Sequence, residues 1–137
     1  MKVARLDHVV FAVDEIDAAA KAWARAFGLQ AGPSLRPEQA PVELAALPVG
    51  GESAFLELVR ALSDGHQLAR SVAEHAEGML SLSLAVDGLD AAVAELRAKG
   101  VAVSGPEPGL LPGTRVARFD PAVTHGVRLQ LIERQRS

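Results

Sequence analysis

Two stretches of this chain repeat one another. Residues 6–19 read LDHVVFAVDEIDAA, and residues 79–92 read MLSLSLAVDGLDAA. A second match, FLEL at 55–58 with RLQL at 128–131, falls at the same spacing of 73 residues (6 to 79, and 55 to 128). Two matches at one spacing are the mark of an internal repeat. We therefore interpret the chain as two copies of one module.

Each copy has the pattern of a strand followed by a helix and further strands. Residues 8–13 and 80–86 are short apolar runs, typical of buried strands. Apolar residues at three- and four-residue spacing then predict a helix, which Asp14 or Asp87 caps and a glycine ends. A Pro- and Gly-broken segment follows in each copy, and the module is predicted as βαβββ. The later strands are predicted at 42–49, 54–62, 115–119 and 127–132.

The predicted fold class is α+β, with two tandem βαβββ modules that pair their sheets around a cleft. We expect a single domain over residues 1–137, with a first module at 6–62, a helical linker at 63–78 and a second module at 79–134. One module alone would leave a sheet face uncovered, and pairing two about a pseudo-twofold axis buries both faces. Equivalent positions of the two copies are expected to converge on that axis.

Composition excludes several classes of protein. The 137 residues are 49% hydrophobic and 23% charged, as in an ordinary globular protein. A net charge of −3 argues against a nucleic-acid partner. No apolar run approaches the ~20 residues of a membrane span, and the N-terminus lacks a signal-peptide pattern, so a cytoplasmic protein without a membrane partner is expected. The absence of cysteine excludes disulfides and Cys-ligated metals.

Polar residues stand at two equivalent pairs of positions. His8 corresponds to Ser81, and Glu57 corresponds to Gln130. Glu57 lies in a strand otherwise made of Phe, Leu and Val, where a carboxylate is costly to bury unless it is paired or binds a cation. Two His and two carboxylates at these positions would form a metal site. The second copy offers a hydroxyl and an amide instead.

These residues carry a resemblance to a known family. The opening LDHVVFAVDEIDAA resembles the first strand and helix start of the vicinal-oxygen-chelate superfamily, which includes glyoxalases, bleomycin-resistance proteins and extradiol dioxygenases. Residues 37–50, PEQAPVELAALPVG, are similar in particular to its methylmalonyl-CoA epimerase branch. The likeness extends over Leu6 to Glu133. It implies the paired-module fold and a homodimer by analogy.

The resemblance also implies roles for individual residues. It makes His8 and Glu57 ligands of one divalent metal ion (Co, Zn, Mn or Ni), with Gln130 as a further ligand where the family has Glu. The family's remaining His ligand falls on Ser81. A serine hydroxyl is a poor ligand for these ions, so a protein without metal stays open as an alternative.

The same resemblance points to residues beside the substrate. Glu38 falls where the epimerases carry an acid/base carboxylate next to the substrate's α-carbon. Ser81 and Arg115 are candidate substrate-binding residues, and an arginine at the latter position suits a carboxylate or phosphate. Gln130 has no proton to exchange near neutral pH, so it would not share in proton transfer.

Two functions of different kinds therefore stay open. The first is a metal-dependent isomerase or lyase of the epimerase or glyoxalase kind, which abstracts the proton α to a carbonyl and has a degenerate metal site. The alternative is a metal-free protein of the bleomycin-resistance type, which binds a small molecule without turning it over. Both predict a small-molecule substrate or ligand. The loss of a His and a Glu from the axis is what the second function would produce.

Overall fold

The computed structural model describes residues 1–50, 54–65, 68–70, 72 and 77–135. In chain order the elements are β1 (Val3–Ala12), α1 (Ile16–Phe27), β2 (Val42–Pro48), β3 (Phe55–Ala61), β4 (Gly78–Val86), α2 (Leu89–Ala98), β5 (Val103–Pro108), β6 (Thr114–Phe119), a short 3₁₀ helix (Pro121–Thr124) and β7 (Leu129–Arg134). No helix in this part of the chain is long and apolar enough to span a membrane.

The strands form a mixed sheet in the order β2-β3-β1-β4-β7-β6-β5, which confirms the α+β class. The repeat is visible in the strand pairing. β1 pairs in parallel with β3, and Phe11 lies beside Leu58. β4 pairs in parallel with β7, and Leu84 lies beside Leu131, so both partners have moved by 73 residues. The same register in both copies confirms that the strand pairing repeats along the chain.

The chain divides into two compact units. One comprises His8–Leu80 and the other Met1–Asp7 with Ser81–Ser137. β1 contributes to both units, because its residues up to Asp7 belong to one and those from His8 onward to the other. The module boundaries predicted at 6–62 and 79–134 stay predictions, as does a helical linker at 63–78. Several residues of that linker lie outside the described residues.

In the unit of His8–Leu80, α1 covers one face of the β1–β3–β2 sheet. Its apolar positions pack on every second residue of these strands, because side chains alternate between the faces of a sheet. Leu47 and Leu58 are fully buried; each such side chain contributes about 1.5–3 kcal/mol to folding. Gly28 ends the helix in the left-handed conformation, φ 71°, and its N–H donates to Ala24 O. The buried cluster is Val13, Ile16, Ala45, Leu47 and Leu58.

The other unit has the same plan. α2 covers one face of β4, β7 and β6, and its Leu89 is fully buried. The cluster beneath the helix is Val86, Leu89, Ala92, Val93, Ala117 and Leu131. A second, smaller cluster of Ala85, Val116 and Ile132 lies among residues of the opposite strand face. The two faces of this sheet therefore carry separate apolar clusters.

The second strand of the module, which follows the helix, differs between the copies. In the second copy it is β5, paired with β6. In the first copy it is an isolated bridge, where Leu35 and Leu44 exchange backbone hydrogen bonds of 2.8 and 2.9 Å. Pro33 and Pro37 stand two residues to either side of Leu35, and a proline has no N–H to extend a ladder. The two prolines therefore limit this segment to a single bridge in place of a full strand.

The helix starts depart from the sequence prediction. Neither α1 nor α2 has a side-chain cap among the described residues, so the prediction that Asp14 and Asp87 cap them is wrong. The Asp14 N–H instead donates to Glu77 Oε2 at 2.8 Å. The Leu89 N–H donates to Glu133 Oε2, also at 2.8 Å. Carboxylates from other elements thus accept from the backbone here, and they also suit the positive end of a helix dipole.

Candidate functional site

The face of the β1–β3 pair that α1 leaves uncovered carries His8 and Glu57. His8 lies beside Phe55 in the register, and Val10 lies beside Glu57. Because residues two apart share a face, the side chains of His8 and Glu57 project to the same side. Both residues are buried, with 2% and 5% of their surfaces exposed. The structure therefore brings together the two predicted ligands that belong to the first copy.

The imidazole and the carboxylate face each other at close range. His8 Nε2 and Glu57 Oε1 are 3.9 Å apart, which is longer than a direct hydrogen bond. The His8 ring stacks on Phe55, with ring centroids 4.8 Å apart and an angle of 12° between the planes. This stacking fixes the plane of the imidazole and hence the direction of its nitrogens. A buried carboxylate needs a polar or charged partner, and the imidazole of His8 lies 3.9 Å from the carboxylate of Glu57.

The equivalent face of the other unit carries Gln130 and a serine that the sequence analysis did not single out. The register places Ser83 beside Gln130, as it places Val10 beside Glu57. Gln130 Nε2 donates a hydrogen bond of 2.7 Å to Ser83 Oγ, and Ser83 is fully buried. Ser81 lies two residues earlier on the same strand and is half-buried. The amide of Gln130 is thus oriented by its neighbour.

Glu38, the predicted acid/base residue, lies at the surface. It occupies a turn between the Leu35 bridge and β2, and its side chain is exposed. The exposed turn keeps this carboxylate in contact with solvent, in contrast with the buried His8 and Glu57. Its predicted role stays a prediction.

Arg115, a predicted substrate-binding residue, is held by carboxylates. Its guanidinium contacts both oxygens of Asp90, at 2.9 and 3.1 Å, and Glu133 Oε1 at 3.4 Å. The hydrogen-bonded Asp90, and to a smaller degree Glu133, raises the pKa of Arg115. Arg115 is one residue from the buried Val116, which packs with Ala85 and Ile132, so its side chain leaves the sheet on the face that carries α2. Gln130 projects from the opposite face.

A buried acidic residue with two arginine partners was also missed. Asp7 is fully buried. Arg134 Nε and Nη2 donate to its two oxygens at 2.9 and 2.8 Å, and Arg5 Nη2 lies 3.0 Å from Oδ1. The signal in the sequence was an aspartate next to an apolar run. The partner that binds both of its oxygens, Arg134, is 127 residues away, and only the tertiary structure brings the two together.

The donor atoms of His8 and Glu57 suit a divalent ion. Imidazole nitrogen and carboxylate oxygen bind such ions at about 2.0–2.2 Å, so neighbouring ligands of one tetrahedral or octahedral ion lie roughly 2.8–3.6 Å apart. The separation of 3.9 Å is a few tenths of an ångström longer, so a small side-chain adjustment brings both donors to one ion. The described residues contain no group of three or more His, Asp or Glu side chains that could hold a metal ion. The pair therefore fits an ion whose other ligands come from solvent or substrate, and not a closed structural site.

Comparison with known proteins identifies the class. Residues 7–117 match the family model of the Glyoxalase/Bleomycin resistance protein/Dioxygenase superfamily, and the chain belongs to that superfamily. The membership confirms the resemblance seen in the sequence. No functionally curated protein matches the sequence significantly.

Within this superfamily, the solved structures similar to this chain include methylmalonyl-CoA epimerases. The chain is 25% identical to methylmalonyl-CoA epimerase from Mycobacterium tuberculosis, covering 98% of this chain and 90% of that one, with a TM-score of 0.89. It is also 25% identical to a variant of the Streptomyces coelicolor epimerase in complex with 2-nitronate-propionyl-CoA, over 97% and 96% of the chains, with a TM-score of 0.88. A hypothetical protein from Bacillus halodurans has the same fold at 24% identity, with a TM-score of 0.89. The fold of this chain is that of the epimerases.

Proposed function

We propose that this protein is an isomerase or lyase that abstracts the proton α to the carbonyl of a small acyl thioester. The observation that carries the proposal is the buried His8–Glu57 pair, with Nε2 and Oε1 3.9 Å apart on the helix-free face. The similarity to two epimerases, one of them bound to an acyl-CoA analogue, supports a coenzyme A thioester as the substrate class. An α-hydrogen next to a thioester carbonyl is the acidic position of such molecules.

In this proposal His8 and Glu57 would hold one divalent ion, and the carboxylate of Glu38 would act as the general base. A bound ion would supply Lewis-acid polarisation of the substrate carbonyl. The carboxylate of Glu38 takes the hydrogen from the α-carbon, and the electron pair of that C–H bond moves toward the carbonyl oxygen. A proton delivered from solvent to the opposite face of the carbon restores the C–H bond and inverts the centre. The exposed position of Glu38 allows the captured proton to exchange with water before it returns.

Exchange of the α-hydrogen with solvent tests the proposal. Methylmalonyl-CoA and propionyl-CoA are incubated in D₂O with the protein and added Co²⁺, and loss of the α-hydrogen signal is followed by proton NMR. We expect exchange that falls by about 10²-fold or more in His8→Ala and Glu57→Gln, and about as much in Glu38→Gln. The control is Glu15→Gln, an exposed carboxyl at the start of α1. Exchange that persists in His8→Ala, or no exchange with either thioester, contradicts the proposal.

The second function is a metal-free small-molecule-binding protein. One observation favours it: of the four predicted positions only His8 and Glu57 supply strong ligands, and the amide of Gln130 is engaged by Ser83. It predicts no metal in the purified protein by plasma mass spectrometry, even after Co²⁺ loading and desalting. It also predicts unchanged binding of an acyl-CoA in the presence of chelator. One ion per chain that is lost in His8→Ala supports the enzyme instead. Ser81, Gln130 and Arg115 as ligand or substrate groups, and the homodimer, stay predictions.

A further inference from the structure

The unit of Met1–Asp7 and Ser81–Ser137 contains a cavity that the proposed function does not use. Its volume is about 380 Å³, which lies within the range of small-molecule sites. The small side chains of Ala4, Ala85 and Val86 give it an apolar wall. The charged residues that line it are Arg5, Arg134 and Asp87, with Gln135 as a further polar group.

The buried carboxylate of Asp7 determines how the two arginines of the cavity are held. Arg134 binds Asp7 through two nitrogens, in a bidentate pair that fixes its guanidinium. Arg5 Nη2 lies 3.0 Å from Oδ1 of the same carboxylate. Arg5 Nη1 is shielded from solvent and has no hydrogen-bond partner within the described residues. An unsatisfied charged donor of this kind costs free energy, and an acceptor that reaches it recovers that cost.

We propose that this cavity binds a small molecule through a carboxylate or phosphate monoanion that accepts from Arg5. Arg134 and Arg5 share the single carboxylate of Asp7, so the three groups together carry one net positive charge. Because Nη1 of Arg5 has no hydrogen-bond partner among the described residues, a small reorientation of that guanidinium brings it to an oxyanion in the cavity. The Arg134–Asp7 pair stays intact. The planar fork of a guanidinium matches the oxygens of both carboxylate and phosphate.

Asp87 sets the charge of the ligand. Among the described residues it is the one carboxylate that lines the cavity, and its side chain is exposed. A nearby negative charge repels an anion, and a dianion more strongly than a monoanion. The site therefore favours a singly charged oxyanion, and removal of the Asp87 charge strengthens its binding.

Anion titration followed by backbone amide NMR tests the site in the full chain. Acetate and phosphate, at a pH where phosphate is mainly singly charged, are added separately at constant ionic strength against chloride. We expect saturable chemical-shift changes at the amides of Ala85 and Val86 with acetate, phosphate or both. The anion that produces them shows whether the site takes a carboxylate or a phosphate. Arg5→Ala weakens binding about tenfold or more, and Asp87→Asn tightens it by about twofold.

Three controls keep the result decisive. Arg25→Ala removes an exposed arginine from the last turn of α1 and leaves the anion affinity unchanged. Arg5→Lys, which keeps the charge and loses the planar fork, binds more weakly than the parent, and this variant serves if Arg5→Ala does not fold. Equal responses to chloride and to both oxyanions overturn the proposal. So does an affinity that is the same in Arg5→Ala as in the parent.

Discussion

The two copies of the module carry an ion pair at equivalent positions of neighbouring strands, but with the charges reversed. In the first copy Glu43 on β2 is the centre of a chain of three charges, with Arg60 Nε at 2.9 Å and Arg36 Nε at 3.1 Å. In the second copy the centre is Arg115 on β6, between Asp90 and Glu133. Glu43 pairs with Arg60 in the register, and Arg115 pairs with Glu133. The backbone plan repeats, whereas the signs of the cross-strand pair are reversed, and the third charge comes from a different element in each copy.

This reversal teaches what a duplicated fold constrains. A cross-strand pair is stabilised by opposite charges whichever strand carries which sign, so the framework specifies a pair and not its residues. The reversal has one local consequence. Glu133 also accepts from the Leu89 N–H at the start of α2. The guanidinium of Arg60, at the equivalent place, offers no acceptor atom, and the first copy accepts its Asp14 N–H with Glu77 instead.

The largest test of the equivalence is in the two cores. Leu58 and Leu131 occupy the same position in the two copies, and 0% and 3% of their surfaces are exposed. We expect Leu58→Ala and Leu131→Ala each to lower the free energy of unfolding by about 2–5 kcal/mol, because each removes buried apolar contacts and leaves a cavity. Urea unfolding measures both. The exposed Leu62→Ala is the control and changes stability little. A large cost in one copy only would show that the cores are not equivalent.

The next effect concerns a group that only one copy has. Asp7 has Leu80 at its equivalent position, so the buried pair with Arg134 is not repeated. We expect Asp7→Asn to cost about 3 kcal/mol, because it leaves the Arg134 charge without its partner. Thermal unfolding at pH 7 measures the loss. Arg25→Ala, at an exposed helix position, controls for the removal of one charge. A stability equal to that of the parent would show that the Asp7–Arg134 pair does not stabilise the fold.

The sequence was sufficient for the repeat and insufficient for these ion pairs, for a physical reason. Apolar alternation is a local signal, so most strands and both glycine-ended helices followed from the spacing of residues such as Leu58 and Gly28. The strand β5 was not located, because it overlaps the segment predicted only as Pro- and Gly-broken. His8 and Glu57 were singled out because the equivalent positions of a repeat can be compared directly along the chain, and the family resemblance then made them ligands of one ion. Asp7 and Arg134, by contrast, are 127 residues apart. Nothing in either strand's pattern indicates that they meet.

Ser83 was missed for a related reason. A serine in a strand has no distinctive periodicity, and its value lies in orienting Gln130 across the β4–β7 pair. The equivalent residue in the first copy is Val10, which cannot orient Glu57 in this way. The polar positions therefore differ in kind between the copies, and the repeat alone could not reveal it. Glu38 shows the converse, since a resemblance assigned it a role that the described geometry leaves untested.

A smaller effect is expected at the helix ends. Gly28 and Gly100 follow α1 and α2 with φ of 71° and 80°, and no atom lies within 4 Å of a Cβ built on either. Substitution by alanine therefore costs backbone strain without a steric clash, about 1 kcal/mol at each site. Urea unfolding of Gly28→Ala and Gly100→Ala measures it. The matched control is Gly32→Ala, where φ is not in the left-handed region. A cost above about 2 kcal/mol at one end only would break the equivalence of the two helices.

The smallest effect comes from the charge-reversed pairs and depends on pH. Arg60, and then Arg36, holds the pKa of Glu43 below its ordinary value of 4.5. Arg115 holds the pKa of Asp90 below its ordinary value of 3.8. In both cases the folded state binds protons less readily than the unfolded state, so the stabilisation is present above the ordinary pKa and is lost as the pH falls through the lowered one.

Glu43→Gln should therefore flatten the decline of Tm that begins near pH 4.5. Asp90→Asn should flatten the decline that begins near pH 3.8. Thermal unfolding between about pH 6 and pH 2.5 measures both. About 0.5 M NaCl should shrink the differences, more for the exposed Asp90–Arg115 pair than for the half-buried Glu43–Arg60 pair. If both variants follow the parent curve at low salt, the reversed charge pairs do not contribute to the stability of the fold.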